Sequence, residues 1–231
     1  MAICARALLS QTTVKVRHSA KFKLWRWLIA LIFLCGCSDD SQTLSIATGG
    51  PAGLYYPFGG GMASIWSGQL PQVNVKAEVT GGSVINVIQV ARGESDLGIA
   101  MADVLSDAYL GQGRFPEALP LRVLFSAYPN IVHLLALEDS KIGSVKDLRG
   151  KRVSIGAQGS GTAVAATNLL NGLGIGLEGL AVRYLSFGET SSALKDGTID
   201  AGFIVGGLGL AAITELSVSR DMRLIPLTDS D

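Results

Sequence analysis

Three glycine-rich turns hold the residues best suited to chemistry: Thr48-Gly49-Gly50-Pro51-Ala52-Gly53, Thr80-Gly81-Gly82-Ser83 and Gly156-Ala157-Gln158-Gly159-Ser160-Gly161-Thr162. Each lies between a strand-like run and a helix-like run. The first amides of a helix lack intrahelical acceptors and the helix dipole is positive there, so such a turn can hold a carboxylate or phosphate. Glycine lets a ligand come close to the backbone. One such turn is also ordinary punctuation between elements. Three of them at the carboxyl ends of strands, where open α/β sheets bind ligands, describe a cleft.

Other site chemistry finds little support. The turn Gly156–Thr162 lacks the lysine of a phosphate-binding loop, and Ser160 is flanked at two residues by Gln158 and Thr162 rather than by the glycines of a nucleophile elbow. Beyond residue 37 the one histidine is His133, set in the apolar run Ile131–Leu135, where a satisfied core or hinge histidine is the simpler reading than a catalytic base. Cys4, Cys35 and Cys37 are the only cysteines, so the rest of the chain has no thiol for a disulphide framework, a zinc site or a nucleophile. We expect no catalysis, cofactor or metal.

The elements that must position the turns follow from hydrophobic spacing. Leu44–Thr48 and Val73–Val79 alternate as strands, and Leu97–Met101 and Leu121–Ala127 are short apolar strands. Between them, Tyr55–Trp66, Ser83–Arg92 and Asp103–Leu110 have helical spacing, the last two capped by Ser83 and Asp103. After Pro129 a similar series begins: strands at Ile131–Leu137, Arg152–Ile155, Val182–Leu185, Ile199–Val205 and Met222–Leu227, with helices at Thr162–Leu170, Thr190–Lys195 and Leu208–Leu216 and a one-turn helix capped by Ser144. The two series share a local pattern: Ala91–Ile99 and Lys195–Phe203 each end a helix at glycine and lead into a strand through aspartate. This predicts an α/β chain of two similar lobes, each a mainly parallel sheet flanked by helices, spanning residues 44–130 and 131–231.

Charge is unevenly placed. Residues 1–37 carry Arg6, Lys15, Arg17, Lys21, Lys23 and Arg26 and no acid, which leaves thirteen cations against nineteen acids in the remainder. An acidic body argues against nucleic acid, which needs a basic stripe. The cations precede the apolar stretch Leu28–Leu34, too short to span a membrane, so residues 1–37 read as a signal peptide. Its exit, Leu34-Cys35-Gly36-Cys37, resembles the bacterial lipoprotein box, which would make Cys37 the lipidated residue and anchor the protein to a membrane. An ordinary secretory signal cut nearby is the other reading, and both export the protein. Residues 38–43 then form a polar tether.

Thr48-Gly49-Gly50 with Tyr55-Tyr56-Pro57, Thr80–Asn86, Ala102-Asp103-Val104, Tyr128-Pro129 and the run Ser144–Gly161 together resemble the TAXI family of solute-binding proteins, which serve TRAP transporters. The resemblance covers residues 44–227, although Ser144–Val153 is shared more widely among two-lobed binding proteins. It implies a periplasmic-binding-protein-like fold of the second type, closing on a small acidic solute, a glutamate-like amino acid or carboxylate, for delivery to TRAP membrane subunits. On that reading Thr48, Gly49, Gly50, Gly159, Ser160, Gly161 and Thr162 contact the ligand. Tyr55 and Tyr56 cover it or pack as the first turn of their helix. Ser83 and Asn86, three apart, both face the cleft, or one caps while the other is solvated. Phe187 and Glu189 match rim residues of the second lobe, with Glu189 alternatively a plain first-turn acid. Asp103 accepts from a ligand amine or caps its helix. Met101-Ala102 stands where relatives often have a polar pair, which makes that wall greasier.

Family members continue well past the strand matching Met222–Leu227, so the resemblance implies that the first lobe is incomplete here. A ligand-sensing lipoprotein that signals to a membrane kinase, an enzyme on the same fold and a non-functional relic are the alternatives.

Overall fold

A computed structural model describes residues 41–227 of the chain. The expected signal peptide, the lipidation at Cys37 and the start of the tether fall outside the described residues.

Two sheets organise the described residues. The first is three-stranded and wholly parallel, in the order β2-β1-β3, with β1 at Gln42–Ala47, β2 at Val73–Glu78 and β3 at Leu97–Gly98. The second has the order β6-β5-β7-β4-β8, with β4 at Ile131–Leu137, β5 at Arg152–Ser154, β6 at Ala181–Arg183, β7 at Ala201–Gly206 and β8 at Met222–Leu224. Six helices alternate with the strands: α1 (Tyr55–Gln69), α2 (Ser83–Arg92), α3 (Ala102–Leu110), α4 (Gly161–Gly172), α5 (Phe187–Lys195) and α6 (Ala211–Ser219).

The lobes are built on one plan. In the first, β1-α1-β2-α2-β3-α3 places β1 between two parallel neighbours. In the second, β5-α4-β6-α5-β7-α6 does the same for β5. The shared pattern has a structural meaning in both. Gly93 (φ 70°) and Gly197 (φ 67°) are left-handed stops after a helix. The following aspartate then bonds the backbone of the strand that lies between two parallel neighbours: Asp96 Oδ2 accepts from Ser45 N at 2.8 Å, and Asp200 Oδ2 from Arg152 N at 2.8 Å. Two residues later, Gly98 and Gly202 leave room for Asn86 and Thr190, each the fourth residue of the helix lying over that strand.

Beyond that plan the second sheet is mixed rather than mainly parallel. β4 pairs antiparallel to β7 from Ile131↔Gly206 to Ala136↔Ala201, and β8 pairs antiparallel to β4. β7 is consequently central and fully buried, with Ala201 and Phe203 in one core cluster and Ile204 in another. His133 is buried in β4, its Nδ1 3.1 Å from the Ile204 carbonyl, which accounts for it as a structural histidine.

Several boundaries differ from the sequence expectation. β1 begins at Gln42, inside the segment read as tether. The expected strand at Leu121–Ala127 does not form: Val123, Leu124 and Phe125 are 66%, 69% and 55% exposed, and among the described residues no strand pairs with this segment. An apolar run needs a ladder partner before it becomes a strand. α2 is capped by Gly82 (φ 108°), a backbone state open to glycine, so Ser83 is its first helical residue rather than its cap. α3 starts at Ala102 after Met101, and Asp103 accepts only from its neighbour Val104 N, at 2.9 Å. α5 starts at Phe187, three residues earlier than expected, because Ser186 and Glu189 form a capping box.

Candidate functional site

A cleft of about 200 Å³ lies between the lobes. The cap residues of all six helices line it: Leu54, Gly82, Met101, Ser160, Ser186 and Leu210. Six helices therefore begin at the wall of one small volume, but the first amides of α2 are already taken, Val84 N and Ile85 N donating to Gly159 O, which leaves the starts of α4 and α5 to act on a guest. The N–H groups of Gly161 and Thr162, first in α4, have no intrahelical acceptor, and those of Phe187 and Gly188 stand likewise at the start of α5. Among the described residues, no Asp, Glu, Lys, Arg or His lines the cleft.

The lobes already touch around it. Gly159 O accepts from Val84 N at 3.1 Å and from Ile85 N at 3.3 Å, so a carbonyl of the second lobe occupies the start of α2 in the first. A Cβ on Gly161 would come within 2.7 Å of Ser83 Oγ and closer still to Met101 Sδ, and one on Gly82 within 3.4 Å of Ser160 Cα. These glycines set how closely the lobes approach. Phe187 lies against Gly53, with its ring 3.3 Å from where a Cβ would stand. Val164 and Val205 of the second lobe join the first-lobe cluster of Val84, Met101 and Val104.

The residues expected at the site divide into two groups. Gly49, Gly50, Tyr55, Ser83, Ser160, Gly161, Thr162 and Phe187 line the cleft. Ser160 Oγ, however, caps α4 by accepting from Ala163 N at 3.0 Å, and Ser83 Oγ accepts from Met101 N at 3.1 Å. The other six do not line it. Thr48 is buried, its Oγ1 donating to Glu78 O at 2.5 Å. Asn86 is fully buried one turn deeper, its Nδ2 donating to Thr48 O at 2.6 Å and Ile99 O at 2.7 Å while its Oδ1 accepts from Thr80 Oγ1 at 2.5 Å. It ties the ends of β1 and β3 together. Tyr56 faces outward at 37% exposure, Asp103 is exposed, and Gly159 serves the lobe contact. Glu189 turns back on its own helix, accepting from Ser186 N at 2.8 Å, and the Ser186 hydroxyl and amide hold its carboxyl below the usual carboxylate range.

Thr80, in one of the three turns, lines the cleft, whereas spacing did not reveal Leu54, Tyr128, Ser186, Val205 and Leu210 as wall residues. Ser186 was open to detection, since Ser-x-x-Glu marks a helix start. Tyr128 sits where the chain crosses between lobes, its ring centroid 6.5 Å from Tyr55 and 6.1 Å from Phe58. Burial pushes the Tyr128 phenol up, with Tyr55 adding to it, and its hydroxyl is buried without a partner. Burial likewise pushes Tyr55 up, against the pull of the neighbouring Ser83 and Asn130 side chains and with a smaller push from the Asp103 charge. Both tyrosines are neutral phenols at neutral pH.

Two α/β lobes on one plan, with a cleft at the helix starts between them, define a type II periplasmic-binding-protein-like fold. Residues 46–231 match the NMT1-like family, and the chain belongs to that family. Similar solved structures include the alkanesulfonate-binding protein SsuA from Xanthomonas axonopodis pv. citri bound to MOPS (TM-score 0.56, 16% identity, 81% of this chain and 61% of that one). A putative L-cystine ABC transporter protein from Listeria monocytogenes (TM-score 0.55, 18% identity, 80% and 77%) also shares the fold. So does the periplasmic aliphatic sulphonate-binding protein SsuA from Escherichia coli (TM-score 0.50, 15% identity, 80% of this chain). The chain spans 56% and 61% of the length of the two sulphonate-binding proteins.

Proposed function

We propose that this protein is an extracytoplasmic solute receptor that closes its lobes on a small organic anion and passes it to a membrane transporter, with no catalytic step. The observation that carries the reading is the pair of open helix starts, Gly161-Thr162 of α4 and Phe187-Gly188 of α5, on one cleft with no charged lining residue among those described. These four preorganised backbone amides stabilise an anion with no acid on the cleft wall to overcome. The kinship of fold with proteins named for sulphonate, cystine and amino-acid binding supports transport. The TAXI-like motifs Thr48-Gly49-Gly50, Thr80–Asn86 and Ala102-Asp103-Val104 favour TRAP membrane subunits as the partner. Residues 1–37 would export the protein, and lipid on Cys37 would hold it at the membrane.

Thermal unfolding of the full chain against a panel of small carboxylates and sulphonates tests this. A ligand at a hundred times its dissociation constant adds about 2.7 kcal/mol to the folded state, a shift of several degrees. Thr162→Val removes only a buried hydroxyl at the start of α4 and should weaken binding by about tenfold, the value of one hydrogen bond. A panel that produces no shift contradicts the receptor reading.

A further inference from the structure

Which anion the cleft takes can be narrowed from its walls, and this step rests on the reading of the cleft as a solute site. We infer that the ligand is an amine-free organic monoanion with a short apolar tail, rather than an amino acid.

An α-amino acid brings an ammonium group as well as a carboxylate, and a buried ammonium needs an acid beside it. Among the described residues no acid lines the cleft. The two that the sequence places nearest are both accounted for elsewhere. Glu189 is exposed, its carboxylate accepting from Ser186 N at 2.8 Å in its own capping box. Asp103 is exposed on α3 and does not line the cleft, its Oδ1 accepting from Val104 N at 2.9 Å, although its charge reaches Tyr55 on the wall and adds to the rise of that phenol. The open starts of α4 and α5 make matters worse for a cation, because both add positive potential in the cleft where the ammonium would sit.

The rest of the wall describes the tail. Leu54, Met101, Phe187, Val205 and Leu210 line the cleft and none can satisfy a second charged group; the hydroxyls of Tyr55, Thr80 and Tyr128 on the same wall are neutral and, among the described residues, no cation stands beside them. The anionic head belongs at the open amides of α4 and α5, and the tail against this apolar side. A cleft of about 200 Å³ is somewhat larger than the roughly 150 Å³ cavity that accommodates benzene, so the guest has on the order of eight non-hydrogen atoms. A branched short-chain carboxylate meets all three conditions.

Isothermal titration calorimetry of the full chain with matched pairs decides the question. 4-Methylpentanoate and L-leucine share a skeleton and differ by the amine alone. Glutarate and L-glutamate form a second pair with two carboxylates. We expect 4-methylpentanoate to bind at least about 100-fold more tightly than leucine, the penalty of an uncompensated buried ammonium, and more tightly than glutarate. Leucine or glutamate binding as tightly as its amine-free partner overturns this inference and leaves the anion-receptor reading standing. Glutarate binding more tightly than 4-methylpentanoate overturns the apolar tail. If none of the four binds and no other small anion shifts the thermal transition, the receptor reading itself fails.

Discussion

The two lobes solve the same local problem with the same residues and then part company. In each, an aspartate just before a strand bonds the backbone of the central parallel strand, at Asp96 to Ser45 and at Asp200 to Arg152. A glycine two residues on admits a polar side chain from the overlying helix. That side chain ties the helix to the strand ends in one lobe and to Ser154 Oγ, 2.7 Å from Thr190 Oγ1, in the other. The surroundings differ. β7 is flanked by β5 and β4, and the hydrophobic residue three after Asp200, Phe203, is wholly buried. β3 has β1 on one side alone among the described residues, extends over two residues, and the equivalent Ile99 is only half-buried. The motif fixes how a strand starts. Its neighbours decide whether that strand becomes a core.

The sharpest way to break this comparison is to empty the two equivalent positions. Phe203→Ala should cost about 3–5 kcal/mol in chemical denaturation, the range for a fully buried aromatic. Ile99→Ala should cost roughly 1–2 kcal/mol, since a half-buried side chain forfeits only part of its transfer energy. Equal costs would mean that β3 is as well covered as β7.

A smaller effect separates the aspartates. Asp200→Ala removes the acceptor of Arg152 N and of two guanidinium donors, Nε at 3.0 Å and Nη2 at 2.6 Å, and should cost about 1–3 kcal/mol. Asp96→Ala, with no cation in the pair and an exposed setting, should cost about 1 kcal/mol. The pH dependence sharpens the contrast. Hydrogen bonds from the Arg152 side chain hold the Asp200 carboxyl below its ordinary value of 3.8. A depressed carboxyl stabilises the fold fully above its ordinary pKa and loses that contribution as pH falls through the lower folded value. The stability gap between the parent and Asp200→Asn should therefore stay constant at neutral pH and close only below about pH 4.

Much of this was legible in the sequence. The glycine turns, the alternation of elements and the repeated aspartate pattern all carry local chemistry, and the fold follows from them. What the sequence withheld depends on long-range neighbours. Leu121–Ala127 has the pattern of a strand and lacks a partner. Asn86 has the spacing of a cleft residue, but lies a turn deeper, where the backbone carbonyls of Thr48 and Ile99 claim its amide. Gly159 looked like a ligand contact, and its carbonyl instead receives Val84 and Ile85 of the opposite lobe. Leu210 and Val205 carried no signal, because a wall residue from a core strand or a loop looks like any other apolar residue. The capping box at Ser186 and Glu189 was readable and moves the start of α5 onto the cleft.

The central claim is that helix-start amides, and no charged side chain, hold the anion. Backbone ¹⁵N–¹H spectra of the full chain, recorded while 4-methylpentanoate is added, test it directly. The account predicts that the amides of Gly161, Thr162, Phe187 and Gly188 show the largest saturable shifts, as N–H groups that acquire a charged acceptor should. Shifts centred outside the cleft, or none at these four residues while binding is measured, would contradict it.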